Sequence, residues 1–114
     1  MNKPIVVIES PFAGINDFEI ERNARYLRAA IRDCLLRDEA PYASHAIYTL
    51  PGVLDDNIPA ERELGIEAGF VFRYVASCTV VYQDLGISHG MQRGIDHAIA
   101  LHPIDYRRIP SWAG

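Results

Sequence analysis

Two continuous runs of apolar residues, at positions 5–8 (IVVI) and 79–82 (TVVY), most constrain how this chain of 114 residues can fold. Both runs are rich in β-branched side chains and contain no charged residue. Such a run is typical of a β-strand that is buried on both faces, as in a parallel sheet with helices on either side. The rest of the chain must therefore supply amphipathic helices that can cover both faces of a sheet.

Three amphipathic helices are predicted. Residues 18–37 place apolar side chains at the i, i+3, i+4 and i+7 spacing of a helix with one buried face. A second helix is predicted from Pro59 to residue 75, because Pro fits the first turn of a helix. A third follows Ser88, whose hydroxyl can cap it, and ends before Pro103. The apolar stripes of the second and third helices are predicted at Leu64, Ala68, Val71 and Val75, and at Met91, Ile95, Ala98 and His102 or Leu101.

Two more strands complete the predicted sheet, at residues 42–48 and 104–109. The latter alternates apolar and polar residues, as expected of an edge strand with one exposed side. The resulting order β-α-β-α-β-α-β predicts parallel strands joined by right-handed crossovers. The predicted fold class is α/β, a small flavodoxin-like or Rossmann-like three-layer sandwich with a mostly parallel, four- to five-stranded sheet. The length suits a single domain over residues 1–114.

Composition argues against several classes of function. The formal net charge is −4 and the charged residues form no basic stripe, so a nucleic acid polymer is not an expected partner. No stretch approaches the ~20 apolar residues of a membrane span and no signal-peptide pattern is present, so we expect a cytoplasmic protein without membrane contact. Cys34 and Cys78 lie in apolar helix or strand patterns and are expected to be buried free thiols in a reducing compartment. The His residues lack metal-ligand spacing, so neither a metal nor another cofactor is expected.

In an open parallel sheet, ligands bind outside the carboxyl ends of the strands. Polar and small residues follow three of the predicted strands, at 9–14, 44–49 and 83–88, and should converge on one rim. His45 and Arg93 are expected to donate hydrogen bonds there. The candidate ligand-binding residues are Ser10, Pro11, Phe12, Ala13, Gly14, His45, Tyr48, Asp84, Gly86, Ser88, His89, Gly90, Met91 and Arg93.

This rim suits a nucleoside or nucleotide. The backbone N–H groups of residues 88–90 begin a helix and are expected to hold a phosphate. Asp84 would accept hydrogen bonds from ribose hydroxyls, while Phe12 or Tyr48 would cover the base. The alternative is that these segments are ordinary strand-to-helix turns that hold no ligand.

Four segments carry a resemblance to a known family: residues 10–14 (SPFAG), Asn23, residues 44–45 (SH) and residues 86–95 (GISHGMQRGI). With them the chain resembles the nucleoside 2-deoxyribosyltransferase-like superfamily, including small phage and bacterial relatives of unknown function. The resemblance implies a flavodoxin-like domain that binds a nucleoside or nucleotide at the rim. It also implies homo-oligomers in which a neighbouring subunit completes the site. The transferases use a glutamate nucleophile on the helix after the third strand, where this sequence has Gly94.

Without that glutamate, we expect open volume beside Gly90 and a binder rather than a transferase. Asp96 cannot substitute for it, because a shift of two residues rotates a helical side chain by about 200°. The leading hypothesis is a domain that binds and sequesters a nucleotide-derived small molecule, such as an ADP-ribose-like or cyclic nucleotide signal. Such a binder would suit a phage counter-defence protein in the host cytoplasm.

The alternative hypothesis is an enzyme that hydrolyses or transfers an N-glycosidic bond of nucleosides or nucleotides. Its carboxylate would be Asp84, Glu9 or the Glu61 of a neighbouring subunit. A third hypothesis is a structural or interaction protein whose rim stays empty.

Overall fold

A computed structural model describes residues 2–112 of the chain. At its centre lies a four-stranded sheet whose strands are all parallel and follow the order β2-β1-β3-β4. This arrangement confirms the predicted α/β fold class, a parallel sheet between helices in a small three-layer, Rossmann-like sandwich. In chain order the elements are β1 (Ile5–Glu9), α1 (Asp17–Leu36), β2 (Ala40–Tyr42), α2 (Ser44–Ile47), α3 (Pro59–Phe72), β3 (Cys78–Tyr82), α4 (His89–Ile99) and β4 (Ile104–Arg107).

Helices cover both faces of the two central strands, which explains their continuous apolar runs. On one face, Val81 of β3 packs with Met91 and Ile95 of α4. Burial of one such side chain stabilises a fold by about 1.5–3 kcal/mol, so these contacts hold the helix layers on the sheet. The larger core lies between the sheet and α1, with contributions from the loop after β2, and consists of Val6, Ile8, Tyr26, Leu27, Ala30, Cys34, Ala43, Val80 and Tyr82.

A short polar residue or Pro stands at the start of each of the three long helices, as is typical of helix N-termini. Asn16 caps α1 by accepting a hydrogen bond from the N–H of Glu19 at 2.9 Å. Pro59 is the first residue of α3. The Ser88 hydroxyl accepts from the N–H of Met91 at 3.2 Å, which confirms the predicted cap of α4. These caps satisfy N–H groups that have no partner within the helix.

The predicted second strand at residues 42–48 is wrong. β2 ends at Tyr42, and the short helix α2 (Ser44–Ile47) follows. In the part of the chain that the structure describes, β2 is a three-residue edge strand that pairs with β1 only, so no neighbouring strand there satisfies the backbone beyond it. The helix does so instead, with the N–H of Tyr48 donating to the carbonyl of Ser44 at 2.9 Å.

The apolar stripe predicted to bury α3 also needs correction. Leu64, Val71 and Val75 are 58%, 64% and 66% exposed, whereas Gly69 and Arg73 on another face are buried. The inward face is small and polar because α2 approaches it closely. A Cβ built at Gly69 would lie 2.8 Å from the side chain of Ser44. The helix also ends at Phe72, before the predicted end at residue 75.

The described end of the chain docks on α1. The rings of Trp112 and Tyr26 meet edge to face, with centroids 4.8 Å apart. The Arg25 guanidinium lies 5.6 Å from the centre of the Trp112 ring. Trp112 therefore extends the main core beyond the last strand.

Cys34 and Cys78 are free thiols, as predicted, but only Cys34 is buried and Cys78 is half-buried. Across residues 2–112, no helix has the length and apolar character needed to cross a membrane.

Candidate functional site

A cavity of about 270 Å³, here called the rim cavity, lies at the carboxyl end of β1. α2 and α3 form one side of it, and the N-terminus of α4 forms the other. This is the rim at which open parallel sheets bind ligands. Its lining residues are Val7, Glu9, Ser10, Phe12, Ala13, Ser44, His45, Asp56, Arg62, Ile66, Gly69, Phe70, Arg73, Ser88, His89, Gly90, Met91, Arg93 and Gly94.

Most of the predicted ligand-binding residues line the rim cavity, although five do not. Gly14 lines a neighbouring cavity, and Tyr48 lines a smaller one, where its hydroxyl accepts from that of Tyr42 at 2.8 Å. Gly86 forms a turn with a φ of +87°, which favours glycine, and it is not among the lining residues. Pro11 and Asp84 also lie outside the lining. The residues that the rim cavity does bring together are Ser10, Phe12, Ala13, His45, Ser88, His89, Gly90, Met91 and Arg93.

The predicted contact of Asp84 with a ribose does not fit its position. Its Oδ2 atom accepts a hydrogen bond from the Tyr26 hydroxyl at 2.5 Å and another from the N–H of Ile109 at 2.8 Å. The Asp84 carboxylate thus ties α1 to the segment after β4. Its role in this structure is to hold the segment around Ile109 in place.

The space expected from the glycine at position 94 is occupied. Gly94 is buried, and a Cβ built there would overlap the Glu9 carboxylate and lie 2.8 Å from Arg73 Nη2. At Gly90 such a Cβ would meet only Arg62 Nη2, at 3.7 Å. One glycine of α4 therefore makes room for an ion pair from β1 and α3, and the other borders the open part of the cavity.

The ion pair between Glu9 and Arg73 continues into a buried polar network. Arg73 is 3% exposed at its side chain and donates to Thr79 Oγ1 at 2.7 Å. Thr79 Oγ1 is hydrogen-bonded in turn to His102 Nε2, also at 2.7 Å. Burial raises the pKa of Glu9 to about 7, against the opposing effect of the Arg73 charge. The carboxyl at the floor of the cavity is therefore poised to titrate near neutral pH.

Ser10, which follows β1, and His45, on α2, form one wall of the rim cavity. Ser10 Oγ and His45 Nε2 share a hydrogen bond of 3.0 Å, and the ring of Phe12 meets the imidazole edge to face at 5.8 Å. Burial lowers the pKa of His45 to about 4, so this imidazole is neutral at physiological pH. The wall offers hydrogen bonds and an aromatic ring without adding a charge.

Positive charge gathers near the start of α4. Among residues 2–112, the N–H groups of His89 and Gly90 have no acceptor. The exposed Arg62 forms no ion pair within those same residues. Arg93 lies nearby but pairs with Glu63, with 3.0 Å between Arg93 Nη1 and Glu63 Oε2. The free donors at this end are those that an anion would use.

A second cavity of about 620 Å³ adjoins the rim cavity and shares Phe12, Ala13 and Asp56 with it. Asp56 is half-buried and makes no hydrogen bond or ion pair with the residues between 2 and 112. The remaining residues around the second cavity are Gly14, Ile20, Thr49, Pro51, Gly52, Val53, Leu54, Asp55, Asn57 and Glu61.

The model of a family described as a domain of unknown function (DUF7768) matches residues 4–107. The chain belongs to this family. No curated protein matches the chain. Every residue that lines the two cavities falls within the part that the DUF7768 family covers.

Sequence reasoning missed several residues of the site in this DUF7768 domain. Arg73 and Thr79 lie in segments that read as an apolar helix and a buried strand, and Arg62 reads as an exposed helical charge. One signal was present, because Arg73 stands alone among apolar residues in the segment 70–75 (FVFRYV). A single charge in such a segment is buried only when it is paired. Within residues 2–112, no group of His, Cys, Asp or Glu side chains could hold a metal ion.

Proposed function

We propose that this domain binds a nucleotide-derived small molecule in the rim cavity, with a phosphate at the N-terminus of α4. One observation carries the proposal: among residues 2–112, the cavity joins N–H groups without an acceptor and a guanidinium without an ion pair at one end to a carboxylate at its floor. The N–H groups of His89 and Gly90 and the side chain of Arg62 would hold the phosphate. Glu9 would accept from sugar hydroxyls through Oε1, which has no donor among residues 2–112.

The size of the site supports a small ligand. Ligand cavities in proteins usually measure about 300–1,000 Å³, and the rim cavity alone, at about 270 Å³, lies just below this range. It can accept a sugar phosphate, and a larger ligand would extend into the second cavity. Phe12 stands between the two cavities, where its ring could contact a base.

Calorimetric titration tests the proposal. AMP, cyclic AMP and ADP-ribose are compared with adenosine, and native mass spectrometry checks the purified protein for a nucleotide that copurifies. Because Arg62 is expected to make a charge-assisted contact, Arg62→Gln should weaken binding of the phosphorylated ligands by about tenfold or more. Arg32→Gln, a matched change on the exposed face of α1, should leave affinity unaltered. Equal loss in both variants, or no binding of any phosphorylated ligand, would refute the phosphate site.

Sequestration without turnover is the form of this function that we favour. Glu9 is paired with Arg73, and an ion-paired carboxylate is a weaker nucleophile than a free one. A ligand recovered unchanged after long incubation is the expected result. A counter-defence role would follow from such sequestration and stays a prediction.

A second candidate function is cleavage of an N-glycosidic bond. The observation that favours it is the position of Glu9, which puts a carboxyl beside Gly94, where the resemblance expects a glutamate on the helix. Incubation with nucleosides and nucleotides, followed by chromatography, tests this function. Free base that is released by the native protein and not by Glu9→Gln would establish it over sequestration.

Self-association stays a prediction as well. The exposed side chains of Leu64 and Val71 on α3, and of Val75 shortly after it, offer apolar surface that a second copy of the chain could cover. Sedimentation velocity over a range of concentrations measures the oligomeric state. A monomer at every concentration would contradict the expectation.

A further inference from the structure

We infer that the second cavity takes the base of the bound nucleotide and selects a base that carries an exocyclic amino group. The inference rests on the proposed function, since it assumes that the phosphate lies at the start of α4. It deepens that proposal, because it assigns the base to the second cavity and names the group that would recognise it. Two features carry it, the continuity of the two cavities and the contrast in charge between them.

The two cavities form one path. Phe12, Ala13 and Asp56 line both, so a ligand anchored at Gly90 can pass over Ala13 into the second cavity. Ala13 is exposed and offers only a methyl group at this passage. At about 620 Å³, the second cavity also has the space that a purine or pyrimidine requires, which the rim cavity lacks once a sugar phosphate fills it.

The walls of the second cavity suit a flat heterocycle. Phe12 offers an aromatic ring, and Ile20, Val53 and Leu54 offer aliphatic side chains around it. Planar rings are bound in this way, between apolar side chains, with a few polar groups that read their edges. The polar groups therefore decide which base is accepted.

Those polar groups are mainly acceptors. Within residues 2–112, the charged groups of its lining are the carboxylates of Asp55, Asp56 and Glu61, beside the neutral Thr49 and Asn57, and no Lys, Arg or His lines it. Ionised carboxylates accept hydrogen bonds and cannot donate them. A base edge with an amino group is thus complementary to this cavity, and a base edge with a carbonyl at the same place meets a like partial charge.

Asp56 is the carboxylate that is free to read the base. Asp55 Oδ1 already accepts from the N–H of Asn57 at 2.9 Å, and Glu61 Oε1 accepts from the N–H of Asp55 at 3.0 Å. Asp56 has no such partner within residues 2–112, and it lies at the junction of the two cavities. It is placed where the base would emerge from the sugar.

Matched pairs of nucleotides test the inference by calorimetry. AMP is compared with purine riboside 5′-monophosphate, which lacks only the amino group, and CMP is compared with UMP, which has a carbonyl instead. The amino-bearing member of a pair should bind about tenfold more tightly. In Asp56→Asn, whose side-chain amide can donate, the preference for CMP over UMP should disappear or reverse. Asp96→Asn, an exposed change on α4, should keep the preference of the native protein.

Each outcome of these titrations either supports or overturns the assignment of the base to the second cavity. Equal affinity within both pairs, or tighter binding of UMP than CMP, overturns the inference while the phosphate site stands. An unchanged preference in Asp56→Asn, with thermal unfolding that shows a folded variant, removes Asp56 from the assignment and overturns the inference as stated. If no nucleotide binds at all, the proposed function fails and the inference falls with it.

Discussion

The carboxylate of Glu9, at the end of β1, fills the space that the missing side chain of Gly94 leaves on α4. The two residues are 85 positions apart in the sequence and meet because the helix after β3 packs over the neighbouring strand β1. Because the carboxylate occupies this space, the buried ion pair between Glu9 and Arg73 requires a glycine at position 94 of the helix. The contact also sets the floor of the rim cavity.

Replacement of Gly94 by Ala should therefore destabilise the protein. Its Cβ would overlap the Glu9 carboxylate, and overpacking of this kind costs about 1–3 kcal/mol. Gly90→Ala is the matched control, because the same atom would have room there and Ala favours the helix by up to about 1 kcal/mol. Urea unfolding measures the free energy of unfolding of both variants. Equal stability of the two variants would contradict the packing described for Gly94.

Loss of the Arg73 side chain should be costly because it leaves a buried carboxylate unpaired. Arg73→Met is expected to lower the free energy of unfolding by about 3–5 kcal/mol. The double variant Arg73→Met with Glu9→Gln should recover part of that loss, since no charge is then left unpaired. Arg93→Met breaks the exposed pair with Glu63 and should leave stability nearly unchanged. Chemical denaturation of the native protein, Arg73→Met, Glu9→Gln, their double variant and Arg93→Met checks the coupling, and strict additivity of the Arg73→Met and Glu9→Gln effects would argue against it.

The stability of the protein should respond to pH through Glu9 and His45 in opposite directions. The Glu9 pKa rises from 4.5 to about 7 on folding, so in that window the unfolded chain binds fewer protons and stability falls as pH rises. The His45 pKa falls from 6.5 to about 4, so the unfolded chain binds more protons and stability increases with pH. The two trends oppose each other between about pH 4.5 and 6.5 in the native protein.

Single variants separate these two contributions. In His45→Asn, the free energy of unfolding should fall as pH rises from 4.5 to about 7, the range in which Glu9 is protonated only in the folded protein. In Glu9→Gln, the free energy of unfolding should increase as pH rises from about 4 to 6.5, the range in which His45 is protonated only in the unfolded chain. Denaturant titrations at a series of pH values give both curves. If the two variants follow the native pH profile, neither group titrates as described.

The segment after β4, up to Trp112, should loosen when Asp84 is replaced. Asp84→Ala removes the acceptor for the Tyr26 hydroxyl and for the N–H of Ile109, which holds the segment that carries Trp112. Trp112 is the only Trp in the sequence, so its fluorescence reports the change directly. We expect a shift of its emission to longer wavelength under native conditions, with α/β secondary structure retained by circular dichroism. Asp105→Ala, a change on β4 away from this contact, should leave the emission where it is.

Periodicity within the sequence was sufficient for much of the fold. The apolar runs of β1 and β3, the helix predicted at residues 18–37 and the cap at Ser88 are local patterns, and each of them corresponds to an element of the structure. The apolar stripe of α1 was only partly correct, because Leu27 and Cys34 are buried whereas Ile20 and Leu35 are exposed. The alternation of strands and helices predicts a parallel sheet, because parallel strands need crossover connections. The rim position of His45 and Gly90 followed from that topology.

The chemistry of the site was decided by the tertiary structure. Which face of α3 turns inward depended on the close approach of α2 at Gly69, and it left the apolar stripe of that helix exposed. The pairing of Glu9 with Arg73 and the occupation of the space at Gly94 join residues far apart in the chain. A local sequence pattern indicates which residues share a face of one helix or strand. The energy of a buried charge depends instead on the side chains that neighbouring elements place against it. The sequence by itself therefore determined the layers and the rim, and the packing of the layers determined which charges meet there.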